Sequence, residues 1–173
     1  MKSILIATVI TLFFTMNPVF AGDSGQETGN YEDFRPEAND AANDAIAVIV
    51  NPMNRLKTLT IAQLRAIFTH KARSWNVVGA AIDLTIRPII TDNASPVHEA
   101  FRERVLNGGE FQECEVMRMD DEVLREVAGD EAAIGLVTLS SARNHRGVRI
   151  IGVNGKRASL DNPGYPLLIH TAP

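Results

Sequence analysis

The chain has 173 residues, with 17 Lys or Arg against 21 Asp or Glu and a net charge of −4 at pH 7. That balance excludes the strongly basic field a nucleic-acid partner would need, and a single cysteine excludes an internal disulfide framework. The length suffices for one domain with a real core, so neither a metal nor a disulfide is required to staple it.

At the amino end Lys2 precedes an uninterrupted apolar run, Ile4 to Phe14, and Val19-Phe20-Ala21 supplies small residues where a signal peptidase reads them. This pattern predicts a secretory signal peptide over 1–21, cleaved after Ala21. The apolar core is shorter than the ~20 residues a spanning helix needs. Cys114 lies far from that site, so lipid attachment is not expected, and the mature chain is expected to be soluble and periplasmic or secreted. Residues 22–44 carry seven acids (Asp23, Glu27, Glu32, Asp33, Glu37, Asp40, Asp44) against Arg35 alone, a balance of −6. Lys2 is the only charge before them, so residues 45–173 carry +1 and the acidity belongs to this segment. Rich in Gly, Asn and acids, it reads as a flexible leader ahead of a domain over 45–173.

"AIAVIVN", Ala45 to Asn51, is a continuous apolar run suited to a strand buried on both faces, and Pro52 stops it. Thr60 and Gln63 form a capping box before Ile61, Leu64, Ile67 and Phe68, which share one helical face. His70, Lys71 and Arg73 follow, either as partners of the helix dipole or as an anion patch. "DLTIRPIIT", Asp83 to Thr91, is the next strand candidate, with Pro88 weakening its ladder unless it lies at an edge or bulge.

A helix is predicted from Pro96 to about Leu106, with Val97, Ala100, Phe101 and Val105 on one face and Asn107 to Gly109 ending it. Asp120 is expected to cap a third helix that buries Val123, Leu124 and Val127 and stops at Gly129. Ile134 to Thr138 reads as a short strand, and Arg143, His145 and Arg146 as a solvated loop or an anion contact. Val148 to Val153 runs into Asn154-Gly155, a strong hairpin signal, and Tyr165 to His170 closes the chain as a last strand or extended segment. Strands alternate with helices, so an α/β sheet flanked by helices is expected.

Catalytic and metal chemistry find little to build on. Ser95, His98 and Asp92 are close in sequence, yet nothing resembles a nucleophile elbow. His70, His98, His145 and His170 are scattered, none pairs at i,i+4, and no metal site or cofactor is expected. Trp75 is either core or the wall of a ligand cleft, with core the stronger reading.

Several segments together resemble the phosphate-transporter family of periplasmic substrate-binding proteins. "IAVIVNPMNRLKTLTIAQLRAIFTHKARSW" (Ile46 to Trp75) is similar to that family's apolar strand ending in Asn-Pro, its Leu-Thr-x-x-Gln-Leu-x-x-Ile-Phe helix and the Lys and Trp beyond it. The likeness continues through Ser95, Phe101, "AAIGLVTLSSA" (Ala132 to Ala142) and "VNGKRASLDNPGYPLLI" (Val153 to Ile169). It implies a type 2 periplasmic-binding-protein-like fold, a mixed α/β sheet flanked by helices, here reduced to about one lobe. The family opens with a lobe bearing a Gly-Ser-rich phosphate loop, and here the acidic leader stands in that place. The stretch from Phe111 to Ala132 is also shorter than its family counterpart.

The family's anion loop, Arg-Glu-x-x-Ser-Gly-Thr, is replaced by Thr91, Asp92, Asn93, Ala94, Ser95, Pro96 and Val97. A helix start attracts anions through unpaired N–H groups and the dipole. Pro96 removes one donor, Val97 lacks a hydroxyl and Thr91 lacks a guanidinium. The candidate ligand-binding residues are Ser95, Val97, His98 and Thr91, with Ser95 either a plain helix cap or a cap that also touches an anion. The resemblance implies a non-enzymatic exported solute-binding protein for a phosphate-like oxyanion, with an ABC permease as partner. The alternative is an exported interaction or accessory module that kept the fold without the ligand.

Overall fold

A run of buried residues, Asp44 to Val50, forms the centre of β1 (Asn43–Val50), which lies between two antiparallel neighbours. The computed structural model describes residues 43–170, and the expected signal peptide and the leader up to residue 42 lie outside the described residues. β1 starts two residues before the boundary read from composition. Asp44 belongs to it, its carboxylate accepting from Ala45 N–H and the Ser140 hydroxyl.

The other strands are β2 (Thr58–Leu59), β3 (Arg87–Thr91), β4 (Glu115–Met117), β5 (Ala133–Thr138), β6 (Arg149–Val153) and β7 (Leu168–His170). Their order is β2-β6-β1-β5-β3-β4, with β7 pairing the start of β1. β1 runs antiparallel to β5, β6 and β7, while β3 is parallel to β4 and β5 and β2 is parallel to β6. The sheet is therefore mixed and flanked by helices, the architecture expected from the alternation of strands and helices.

α1 (Ile61–Phe68) starts at the expected capping box: Gln63 N–H donates to Thr60 Oγ1 at 3.2 Å and Thr60 N–H to Gln63 Oε1 at 2.8 Å. Its buried Leu64, Ile67 and Phe68 share a face, and the Phe68 ring meets Phe101 edge-on at 4.9 Å, joining α1 to α2 (Pro96–Arg104). α3 (Asp120–Gly129) buries Val123, Leu124 and Val127 as its spacing predicts, and packs on β5. Asn51, at the Asn-Pro step after β1, donates its amide to the carbonyls of Val127 and Ala128 and so closes the end of α3. A short α4 (Leu139–Arg143) follows β5 directly and holds Arg143, which was expected in a loop.

Three further expectations need correction. Asp120 does not cap α3: the N-cap is Met119, and the Asp120 carboxylate instead accepts from Thr138 N–H (2.8 Å) and Thr138 Oγ1 (2.6 Å) across the packing interface. Regular strand in the Asp83 to Thr91 stretch begins only at Arg87, with Thr85 reduced to an isolated bridge to Ser74. Pro88 sits in an interior strand, not at an edge. Arg87 N–H points to Ala132 O of the β5 side, so the Pro88 nitrogen faces β4, whose pairing starts one residue later at Ile89. The missing N–H therefore costs no ladder bond.

Arg87 ties three elements together, bonding Glu115 of β4 (2.6 Å), Glu126 of α3 (2.9 Å) and Asp130 (3.3 Å). Its guanidinium, hydrogen-bonded first to Glu115, is held more firmly protonated than usual, and the same bond holds the Glu115 carboxyl below the ordinary carboxylate range. Arg87→Met leaves three acids facing one another and is expected to cost about 1–2 kcal/mol, between the values for exposed and buried pairs. Glu115's folded pKa is lowered, so its contribution is present above the unfolded carboxylate range and is lost as pH falls through the folded value. Urea midpoints compared at neutral and acid pH check this: the gap between wild type and variant narrows in acid.

Candidate functional site

The turn from β3 into α2 carries all four residues singled out from the sequence. β3 ends at Thr91, which is 2% exposed and whose Oγ1 is buried without a hydrogen-bond partner. A buried hydroxyl left unpaired costs about 1–3 kcal/mol. Asp92 N–H donates to Met117 O and locks the turn to β4, while Asp92 O and Oδ1 accept from the N–H groups of Ser95 and Ala94 at 3.1 Å each.

Ser95 then takes the extended N-cap conformation, φ −77° and ψ 133°, and Pro96 fills the first helical position. Ser95 Oγ accepts from Val97 N–H at 3.2 Å, and Ser95 O accepts from His98 N–H at 3.1 Å and Glu99 N–H at 3.4 Å. The backbone donors of Val97 and His98 are thus turned back onto Ser95, and the Val97 side chain is buried in the core. The His98 Nδ1 lies 3.1 Å from Thr91 O; because a carbonyl only accepts, Nδ1 carries the proton and Nε2 is the nitrogen left open. Its ring packs against Phe111 at 4.6 Å between centroids.

Among the described residues the Ser95 hydroxyl proton has no acceptor, and the exposed Asn93 has no partner for its backbone N–H. In the sequence Asn93 is only a member of the altered loop and not a candidate ligand, because a residue of its type in a turn carries no signal of a free N–H. Glu99 places a carboxylate in the first turn, paired to Arg102 at 2.9 Å and held low chiefly by that hydrogen bond. No hydrogen bond joins Asp92, Ser95 and His98 to one another through their side chains.

The other basic and titratable candidates lie apart. His70, at φ 56°, bonds Glu113 at 3.1 Å, and Lys71 and Arg73 are exposed beyond the end of α1. Burial pushes the Cys114 thiol up to about 12, which keeps it protonated and unreactive. Trp75 is fully buried and belongs to the core. No group of three or more His, Cys, Asp or Glu side chains able to hold a metal occurs among the described residues, and no helix there is long and apolar enough to cross a membrane. Neither of the two cavities described touches Ser95. The larger lies against β2, β6 and the segment after β6, and the smaller beside Asn43, Asp44 and Leu160.

The fold has close counterparts. PstS from Borrelia burgdorferi superposes with a TM-score of 0.69 at 22% identity, over 75% of this chain and 56% of that one. An ABC-type phosphate transport receptor from Vibrio cholerae gives 0.67 at 22% identity, over 74% and 55%. A substrate-binding protein with bound phosphate from Clostridium perfringens gives 0.66 at 26% identity, over 74% and 54%. The chain therefore spans little more than half the length of these structures. No curated protein matches it. The PBP superfamily domain family matches residues 24–164, most of the sequence and all of β1 to α4, and the chain belongs to that family.

Proposed function

We propose that this protein is an exported, periplasmic or secreted, non-enzymatic binding protein that takes a phosphate-like oxyanion at the turn between β3 and α2 and works beside an ABC-type permease. The observation carrying this reading is the half-buried Ser95 hydroxyl at the start of α2, whose proton has no acceptor among the described residues. With the exposed Asn93 N–H and the positive end of α2, it offers a small set of donors to an anion. Family membership and the phosphate named for the Clostridium perfringens structure support the ligand class, and the apolar run Ile4 to Phe14 supports export.

The site is sparse, so the affinity is expected to be modest. Millimolar binding needs about 4 kcal/mol, and one hydrogen bond to a charged group contributes about 1.5–3 kcal/mol of it. Titration calorimetry with inorganic phosphate and sulfate is expected to show saturable heat in the millimolar range, and Ser95→Ala to weaken it by at least about tenfold.

A second reading has its own observation. Val97 and His98 spend their N–H groups on Ser95, and Pro96 has none, so the first turn of α2 satisfies itself. On that basis the chain is an exported accessory or interaction module that kept the scaffold. Absence of heat at millimolar phosphate and sulfate decides for this module and against the oxyanion receptor.

A further inference from the structure

The larger cavity, about 570 Å³, is bounded by Lys57 just before β2, Thr58 of β2, Arg149 to Gly152 of β6, and Gly155 to Ala158 from the Asn154-Gly155 turn onward. We infer that this groove is a second binding site, for a small organic molecule that carries a phosphate ester on an apolar body. Its volume falls inside the roughly 300–1,000 Å³ of small-molecule sites.

Charge argues for the anion. Lys57, Arg149, Lys156 and Arg157 line the groove, no acid does, and none of the four has a salt-bridge partner among the described residues. In a protein of net charge −4 this is a local concentration, not a generally basic surface. The arginines offer planar forks matched to phosphoryl oxygens; Arg149 spends one arm on Asn54 O and keeps the other. Ile150 and Ala158, both partly exposed, supply apolar floor, which a bare inorganic ion would leave uncovered.

The backbone adds a donor and a frame. Gly152 N–H goes to Lys57 O at 2.9 Å and Asn154 N–H to Leu59 O at 2.8 Å, both toward β2. Strand alternation turns the Ile150 amide to that same side, ahead of the point where β2 begins, so no strand partner meets it. The walls are tied together before any ligand arrives. Thr58 Oγ1 accepts from Gly155 N–H and donates to Gly152 O, while Val153 N–H donates to Lys156 O. Asn154 at φ 51° and Gly155 at φ 74° fix the turn that swings Lys156 and Arg157 over the floor. Gly152 is required there, since a Cβ would lie 2.9 Å from Lys156 O.

The test is fluorescence anisotropy of methylumbelliferyl phosphate titrated with the purified protein. Saturable binding is expected, weakened by at least about tenfold in K156E/R157E and reduced in about 0.5 M salt. Methylumbelliferone without the phosphate is expected not to bind, and Ser95→Ala to leave the affinity unchanged, which separates this groove from the start of α2. Lys156 and Arg157 are exposed, so the double variant should melt like wild type by circular dichroism. Lack of saturable binding, binding that survives K156E/R157E, or binding lost in Ser95→Ala overturns the inference.

Discussion

Trp75→Ala is expected to lower the stability of the protein by about 3–5 kcal/mol, the range for removing a large buried aromatic. A domain of this size holds roughly 5–15 kcal/mol, so the variant sits near the edge of unfolding. Trp75 is 0% exposed and opens a 3-10 turn (Trp75–Val78) that Gly79 closes at φ 90°. Its backbone is fixed on both sides, Trp75 N–H donating to Leu84 O and Trp75 O accepting from Ala80 N–H. The indole Nε1 donates to Ala132 O at 2.9 Å, next to the start of β5. That carbonyl also accepts from Arg87 N–H, so loss of the indole leaves it satisfied. Packing therefore contributes more than the hydrogen bond. Trp75→Phe, which keeps most of the apolar volume, is expected to cost only about 0.5–1.5 kcal/mol for the bond, plus a smaller cavity contribution. Urea unfolding followed by circular dichroism checks both; equal losses in the two variants would show that the hydrogen bond dominates.

What the sequence made legible is what local chemistry decides alone. The Thr60-Gln63 capping box, the Ser95-Pro96 helix start, the apolar run of β1 and the Asn154-Gly155 turn each act within a few residues, and each lies where its pattern predicts. The elements that were not anticipated exist through pairing. β2 is two residues long and is made by its register with Gly152 and Val153, more than ninety positions away. β4 is mostly exposed and shows no apolar alternation; it is a strand because Ile89, Ile90 and Thr91 of β3 lie beside it. Asp120 has the residue type of a cap, but the Thr138 amide and hydroxyl hold its carboxylate from another element. The candidate site divides in the same way. Ser95 as a cap was readable, whereas the unpaired burial of Thr91 and the return of the Val97 and His98 N–H groups onto Ser95 depend on how β3 meets the sheet. The four cations of the β2-β6 groove come from residues 57 and 149–157, and only the strand order makes them neighbours.

Gly135→Val is expected to be nearly as damaging as the loss of Trp75, for the opposite reason. Gly135 lies in β5, paired to Ile49 of β1 and Ile89 of β3, beneath α3. A Cβ there would stand 2.7 Å from Val123 Cγ1, 2.9 Å from Val127 Cγ2 and 3.0 Å from Ile49 Cγ1. The first two are α3 side chains in their buried positions, so the helix has to lift for any side chain to fit. Gly135→Ala is expected to cost about 1–3 kcal/mol by overpacking, partly offset by the roughly 0.5–1 kcal/mol an alanine gains over glycine in the backbone. Valine adds two further methyls in the same space and costs more. Because the conflict is steric, it is relieved by shrinking the neighbour: Val123→Ala alone creates a cavity, yet combined with Gly135→Ala it removes the closest clash. A double-mutant cycle in urea is expected to give a favourable coupling of about 0.5–3 kcal/mol between the two positions. Additive losses would mean that Gly135 serves some need other than the seating of α3. The seat matters beyond stability, since β5 pairs directly with β3 and β3 ends at Thr91, so a lifted α3 perturbs the strand that positions the turn into α2.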